Sequence, residues 1–309
     1  MAHEDFRRDS IEFESEGTRC AGWLYRPDES ETESENPPVV VMAHGFGATM
    51  RMGLPAYAEQ FAERGLAVLL FDYRTFGESD GQPRNVVDPF RHVEDCRAAI
   101  SHARSQDGID GDRIGVWGFS FGGGHALAAA ARENVAAYVG QSPVDDGLRT
   151  LVDLVRLKGL DYALSTTTAG LKDLVRKYMD SDPHYLPIVG EPDELAALNT
   201  PGAKRGFTSM VPDEMAEEEW NRCAARVFLQ IGRYRPITEA RNVNCPSLII
   251  QGTEDRLASE SAIDSTITRL DDVTRVRYET THFGGFADEF DRIAEREGDF
   301  LERHLFDTA

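Results

Sequence analysis

The chain has 309 residues, with 54 acidic against 33 basic side chains and a formal net charge of −21, a length that suits one large domain or two small ones. At 41% hydrophobic residues it can bury a substantial core, which excludes disorder as its main state. No run approaches the ~18–20 apolar residues of a membrane-spanning helix. The charged start Met1–Phe6 lacks the apolar stretch of a secretory signal, and the acid excess disfavours nucleic acid and anionic membranes, so a cytoplasmic protein is expected.

Residues 10–26 alternate as two strands (Ile11, Phe13, then Ala21, Trp23, Tyr25) around a turn at Glu16-Gly17. The acidic run Asp28–Glu35 ends in Pro37-Pro38 and reads as a solvated loop. Pro38–Ala43 is a continuous apolar run, the pattern of a strand buried on both faces. A helical pattern (Leu54, Tyr57, Ala58, Phe61) leads to a second buried strand, Leu66–Phe71, and then to a turn-rich stretch from Asp72 to Pro83. Val87–Ala103 reads as a helix, Ile114–Trp117 as a strand, His125–Arg132 as a helix and Val135–Val139 as a strand. After position 246 come strand Ser247–Ile250, helix Ser259–Leu270, strand Thr274–Tyr278 and a closing helix Phe286–His304.

Strands alternating with helices behind an opening hairpin predict an α/β protein with a mostly parallel sheet covered on both faces. The stretch from about Pro143 to Pro246 breaks that rhythm. It is helical where periodic (Leu148–Leu157, Leu171–Met179, Asp213–Ile231) and irregular at Pro183–Pro192 and Pro201–Gly206. A structureless loop of that length is improbable. The expected organisation is a core domain of residues 1–142 and 247–309, with 143–246 inserted as a helical cap.

The strongest chemical signal is Gly118-Phe119-Ser120-Phe121-Gly122, set between a predicted strand and a predicted helix. In that context G-x-S-x-G describes a nucleophile elbow, a tight turn that aims the serine hydroxyl outward. A serine needs a base, and the base needs an orienting carboxylate. Asp255 follows strand Ser247–Ile250 and His282 follows the strand ending at Tyr278, which places both at carboxyl ends of parallel strands, on the rim that carries Ser120. Glu254, Asp145 and Asp146 are alternative positions for the acid. A tetrahedral oxyanion needs two donors. The amide of Phe121, just after the nucleophile, and the amide of Phe46, in the loop His44-Gly45-Phe46-Gly47, are the candidates. His44 reads as a support for that loop, Asp72 as a residue fixing its own turn, and the remaining histidines as non-catalytic. The stripe Leu148, Leu151, Leu154, Val155 reads as core of the cap rather than substrate wall.

The four cysteines (Cys20, Cys96, Cys223, Cys245) are far apart and lack C-x-x-C spacing, so buried free thiols are expected, with neither a metal site nor a cofactor. Only four of the basic residues are lysines (Lys158, Lys172, Lys177, Lys204). With the strong negative charge, this reads as a salt-adapted, halophilic composition.

With these motifs in place, the sequence resembles the serine hydrolases of the α/β-hydrolase superfamily. His44-Gly45-Phe46-Gly47, Asp72-Tyr73-Arg74, Phe76–Gly81, Gly118–Gly123, Gly252–Asp255 and His282-Phe283 match in order. Pro183–Gly190 and Asn221–Arg226 through Tyr234-Arg235-Pro236 are similar to a group of bacterial and fungal enzymes named polyketide transferases or thiohydrolases. The resemblance implies an eight-stranded sheet with an inserted cap, a nucleophile at Ser120, an acid at Asp255, a base at His282 and oxyanion donors at Phe46 and Phe121. Where that group often has Gly-His-Phe-Asp, this chain has Thr281-His282-Phe283-Gly284. The expected substrate is a small-molecule acyl ester or thioester of small to medium chain length. An acyltransferase with the same triad is the alternative, followed by a peptidase-like amide hydrolase, for which no anionic site for a substrate amine is identifiable.

Overall fold

The computed structural model describes residues 6–28 and 36–306. His3, the opening residues and Glu29, Glu31, Glu33 and Glu35 of the acidic run lie outside the described residues. Strands β1 (Phe6–Ser15) and β2 (Thr18–Pro27) form the antiparallel hairpin about Glu16-Gly17. They are followed by β3 (Pro38–Ala43), α1 (Leu54–Ala62), β4 (Ala67–Phe71), α2 (Pro89–Arg104), β5 (Asp110–Phe119), α3 (Phe121–Ala130) and β6 (Ala137–Gln141). Beyond residue 246 come β9 (Ser247–Gly252), α8 (Glu260–Ile267), β10 (Val273–Tyr278) and α9 (Phe290–Phe306).

These strands build one eight-stranded sheet in the order β1-β2-β4-β3-β5-β6-β9-β10. Every pairing from β4 to β10 is parallel, and only the hairpin and its junction with β4 are antiparallel. The physical basis is the apolar runs: every residue of β3, β4, β6 and β9 is buried, as strands covered on both faces must be. Helices α1 and α9 pack together, and α2 packs with α3. Helix α2 starts at Pro89, two residues after the expected Val87, because the Asp88 side chain caps it by accepting from the amides of Phe90 and Arg91 and Pro89 suits the first turn.

Between β6 and β9 lie α4 (Gly147–Lys158), α5 (Leu160–Tyr178), β7 (Tyr185–Leu186), α6 (Ala203–Thr208), α7 (Glu217–Trp220) and β8 (Cys223–Ala224), with several 3₁₀ turns. Gly159, at φ 84°, separates α4 from α5, so the second helix begins well before the predicted Leu171. The continuous helix expected over Asp213–Ile231 does not form. Its chain is drawn out to pair β8 with β7, and the Arg226 amide and guanidinium are held by Asp173 of α5. Pro201–Gly206, read as irregular, enters α6 at Ala203. Helix α3 begins at Phe121 rather than His125, so the three glycines form its first turn. The closing helix starts at Phe290, after a 3₁₀ turn at Gly284–Phe286.

Candidate active site

Residues Ser120, Asp255 and His282 each sit just beyond the carboxyl end of a strand: β5, β9 and β10 respectively. Ser120 adopts φ 56° and ψ −120°, a strained conformation for a residue with a Cβ. Two close approaches make the turn possible. A Cβ on Gly118 would lie 2.2 Å from the carbonyl oxygen of Gly122, and one on Gly122 would lie 2.2 Å from that of Ala43. The Ser120 amide bonds to the Gln141 carbonyl at 2.9 Å, and the Ser120 carbonyl accepts from Val144 at 2.8 Å, which ties the elbow to β6.

His282 Nε2 lies 2.8 Å from Ser120 Oγ, and its Nδ1 lies 2.7 Å from Asp255 Oδ2. The other oxygen of Asp255 accepts from the amides of Leu257 and Ala258 at 2.8 and 3.0 Å. Burial alone would push the Asp255 carboxyl up; the His282 charge and hydrogen bond, with the two amides, outweigh it and hold the group below its ordinary value. Both ring nitrogens of His282 are thereby used, which leaves no place for the alternative acids. Asp146 instead caps α4 and holds Arg235 with two bonds of 2.9 Å. Asp145 is buried, and burial above all pushes its carboxyl up to about 7. Glu254 is exposed.

Phe121 opens α3, so its N–H has no acceptor within the helix. Phe46 stands across from it, the two rings 5.6 Å apart, and both line the same cavity as Ser120. The loop bearing Phe46 is held from below. Asp72 accepts from the amides of Met50 at 2.7 Å and Glu78 at 2.9 Å, and burial, opposed by those donors, pushes its carboxyl up to about 6. His44 is buried against Tyr73, and burial brings its imidazole down to about 4, so it is neutral and structural. The sequence offered no partners for His92 and His125, yet both are buried and paired. His92 stacks on Tyr73 at 4.3 Å, and His125 Nδ1 lies 2.7 Å from the Tyr234 hydroxyl, bracing the ring of Phe121.

Two cavities adjoin these residues, one beside Ser120 and one beside Asp255 and His282. One is almost wholly apolar and reaches from Ser120 to Leu151, Leu154 and Val155 of α4, Tyr162 and Thr166 of α5, and Phe228. The stripe expected to be core is therefore pocket wall, while Leu148 of the same stripe is exposed. Helical spacing marks such a face but cannot say what it meets. The second, polar cleft opens on the far side of the histidine, lined by Thr253–Leu257, Thr281–Phe283 and Thr200–Ala203. All four cysteines are buried and free. Among the described residues no cluster of His, Cys, Asp and Glu could hold a metal ion, and no helix is long and apolar enough to cross a membrane.

A family model described as the alpha/beta hydrolase fold matches residues 38–288. The quorum-quenching protein AidA of Acinetobacter baumannii is 35% identical over 300 residues, 95% of this chain and 94% of AidA. Polyketide transferase ATR5 of Stachybotrys chlorohalonatus is 29% identical over 259 residues, 81% of each chain. The crystal structure of the alpha/beta hydrolase GrgF from Penicillium sp. sh18 superposes with a TM-score of 0.78 at 22% identity, over 97% of this chain and 99% of that one, a likeness of fold.

Proposed function

The chain belongs to the α/β-hydrolase family, and from that premise we propose that it is a serine hydrolase cleaving carboxylic ester or thioester bonds of small to medium apolar acyl substrates. The observation that carries the reading is the unbroken Ser120–His282–Asp255 chain of hydrogen bonds opening on an apolar cavity. Ser120 Oγ attacks the acyl carbonyl as His282 Nε2 takes its proton. Asp255 keeps the imidazole in the required tautomer and stabilises the imidazolium. The oxyanion is met by the amides of Phe46 and Phe121, the latter at the positive end of α3. Collapse expels the leaving group, which receives the proton from His282 and departs through the polar cleft beside it. Water, activated by the same histidine, then releases the acyl group from Ser120. In this reading residues 143–246 act as a cap over the core formed by 1–142 and 247–309.

The second reading is acyl transfer, with an alcohol, amine or thiol in place of water. It is favoured by the polar cleft, which offers an acceptor a place beside His282, and by a relative named polyketide transferase. The acidic, lysine-poor composition supports a salt-adapted cytoplasmic enzyme.

The test is hydrolysis of p-nitrophenyl esters from acetate to decanoate, in molar KCl and in dilute buffer, by wild type and Ser120→Ala. Turnover in the wild type and a loss on the order of 10⁶-fold in the variant are expected, along with stoichiometric labelling of Ser120 by a fluorophosphonate. Labelling without hydrolysis of any ester would favour acyl transfer. A folded wild type that is neither labelled nor active would overturn the serine mechanism, and equal activity at both salt levels would end the salt-adapted reading.

A further inference from the structure

Among the described residues, eleven large apolar side chains are more than a third exposed, and nine of them lie between Leu148 and Met179, at 40–83% exposure. On α5 they form a single line. Leu160, Leu164, Leu171, Val175 and Tyr178 fall within an arc of roughly 60° and run for about 27 Å along the helix. The opposite face carries the buried residues Thr166, Ala169, Gly170 and Asp173. A helix whose outer face is as apolar as its inner one has a second surface to cover.

Three observations identify the occupant as a second copy of this chain. The first is spacing: about the Ala169–Gly170 bond Leu160 mirrors Met179 and Leu164 mirrors Val175, while Leu171 mirrors Thr168 and Tyr178 mirrors Asp161. An antiparallel pair of α5 helices sets Leu160 against Met179, Leu164 against Val175, and the small Thr168 against Leu171, where the helices cross. The second is area, because a stable interface takes roughly 800 Å² per partner and the six side chains from Leu160 to Met179, at 52–83% exposure, offer area of that order. The third is charge. In a chain of net −21, residues 147–179 hold six basic residues (Arg149, Arg156, Lys158, Lys172, Arg176, Lys177) and three acidic ones (Asp153, Asp161, Asp173). Two such molecules repel least where they are least acidic, and the antiparallel arrangement brings Asp161 of one α5 near Arg176 of the other. An anionic lipid surface would meet the same helices but be repelled by the rest of the molecule.

We propose that α5 pairs with its own copy across a two-fold axis through the Ala169–Gly170 bond, forming a homodimer whose interface is the outer face of the α4–α5 hairpin. The inner face of that hairpin supplies Leu151, Leu154, Val155, Tyr162 and Thr166 to the apolar cavity, so the partner steadies the cavity's roof from behind.

Light scattering on the full chain at micromolar concentration, in molar KCl, should give a mass near twice 34.4 kDa. Leu164→Glu with Val175→Glu should shift it to the monomer mass with an unchanged far-ultraviolet circular dichroism spectrum. Under oxidation, Leu164→Cys combined with Val175→Cys should cross-link two chains, whereas either cysteine alone should not, since only the pair is opposed in the antiparallel register. The four native thiols are buried and do not compete. A monomeric wild type would overturn the proposal, as would a dimer that survives the double glutamate variant or cross-links equally through either single cysteine. Flotation of a monomeric wild type with phosphatidylglycerol vesicles would assign the surface to lipid instead.

Discussion

The rim of the sheet and the segment between β6 and β9 are built in opposite ways. Ser120, Asp255 and His282 hang from strand ends, and β9, which leads to Asp255, is buried throughout. The turn of Ser120 is wedged between backbone segments that leave no room for a Cβ. In the segment between β6 and β9, α4 buries only Gly147, and α5 buries four residues of nineteen. Ser120, Asp255 and His282 are therefore held by main chain in a close-packed layer. The groups that shape the cavity are held by side chains of thinly packed helices. A pocket built this way can change its walls without disturbing the triad. Each region also has its own buried ion pair: Arg74 with Asp95 beside the sheet, and Arg226 with Asp173 between β6 and β9. The first ties the β1–β2 turn to α2 through Ser15 and Glu16; the second ties the chain after β8 to α5.

Substitutions can break this contrast or sharpen it. The largest effect after loss of Ser120 itself is expected at the rim. Asp255→Asn leaves the packing intact but removes the partner that orients His282, and should lower kcat on the order of 10⁴-fold with little change in Tm. Comparable losses of activity and stability together would mean that the rim is not the rigid element described. Between β6 and β9 the order reverses. Asp173→Ala strands the Arg226 guanidinium, which Asp173 meets at 2.6 and 3.0 Å, and should cost about 3–5 kcal/mol by chemical denaturation, while Glu239→Ala, which breaks a partly exposed pair with Arg132, should cost about 1 kcal/mol or less.

A third test lies in the core. Glu297 accepts from the Trp117 indole at 2.8 Å, and burial, opposed by that bond, pushes its carboxyl up from 4.5 to about 8. The folded chain therefore keeps a proton that the unfolded chain has lost. Stability from this group falls as pH rises from about 4.5 to about 8 and levels off above that. Glu297→Gln should flatten this slope in a Tm-versus-pH series and leave the variant the more stable form on the alkaline side. A change of specificity without loss of stability is expected at the cavity wall. Leu154→Trp should shift the preferred ester toward shorter chains, changing relative kcat/KM by roughly 10–200-fold while acetate is hydrolysed as before. An unchanged chain-length profile would remove Leu154 from the wall.

The amino-acid sequence by itself determined what depends on neighbours along the chain. Apolar runs such as Pro38–Ala43 and Ala67–Phe71 specify strands buried on both faces, the Glu16-Gly17 turn specifies the hairpin, and glycines at 118 and 122 specify an elbow around Ser120. The order of Ser120, Asp255 and His282 at strand ends was legible for the same reason. Only the tertiary structure decided what depends on residues distant in sequence. It set Asp255 rather than Asp145, Asp146 or Glu254 against His282, because the latter's Nδ1 admits one partner. It gave His125 a partner in Tyr234, 109 residues away, and drew residues 223–224 out of a helical pattern to meet β7. It also turned Leu151 and Leu154 toward the cavity while turning Leu160 and Leu164 of the next helix away from it. Helical periodicity shows that a face is apolar, but which surface it meets is set by packing between segments far apart in the chain.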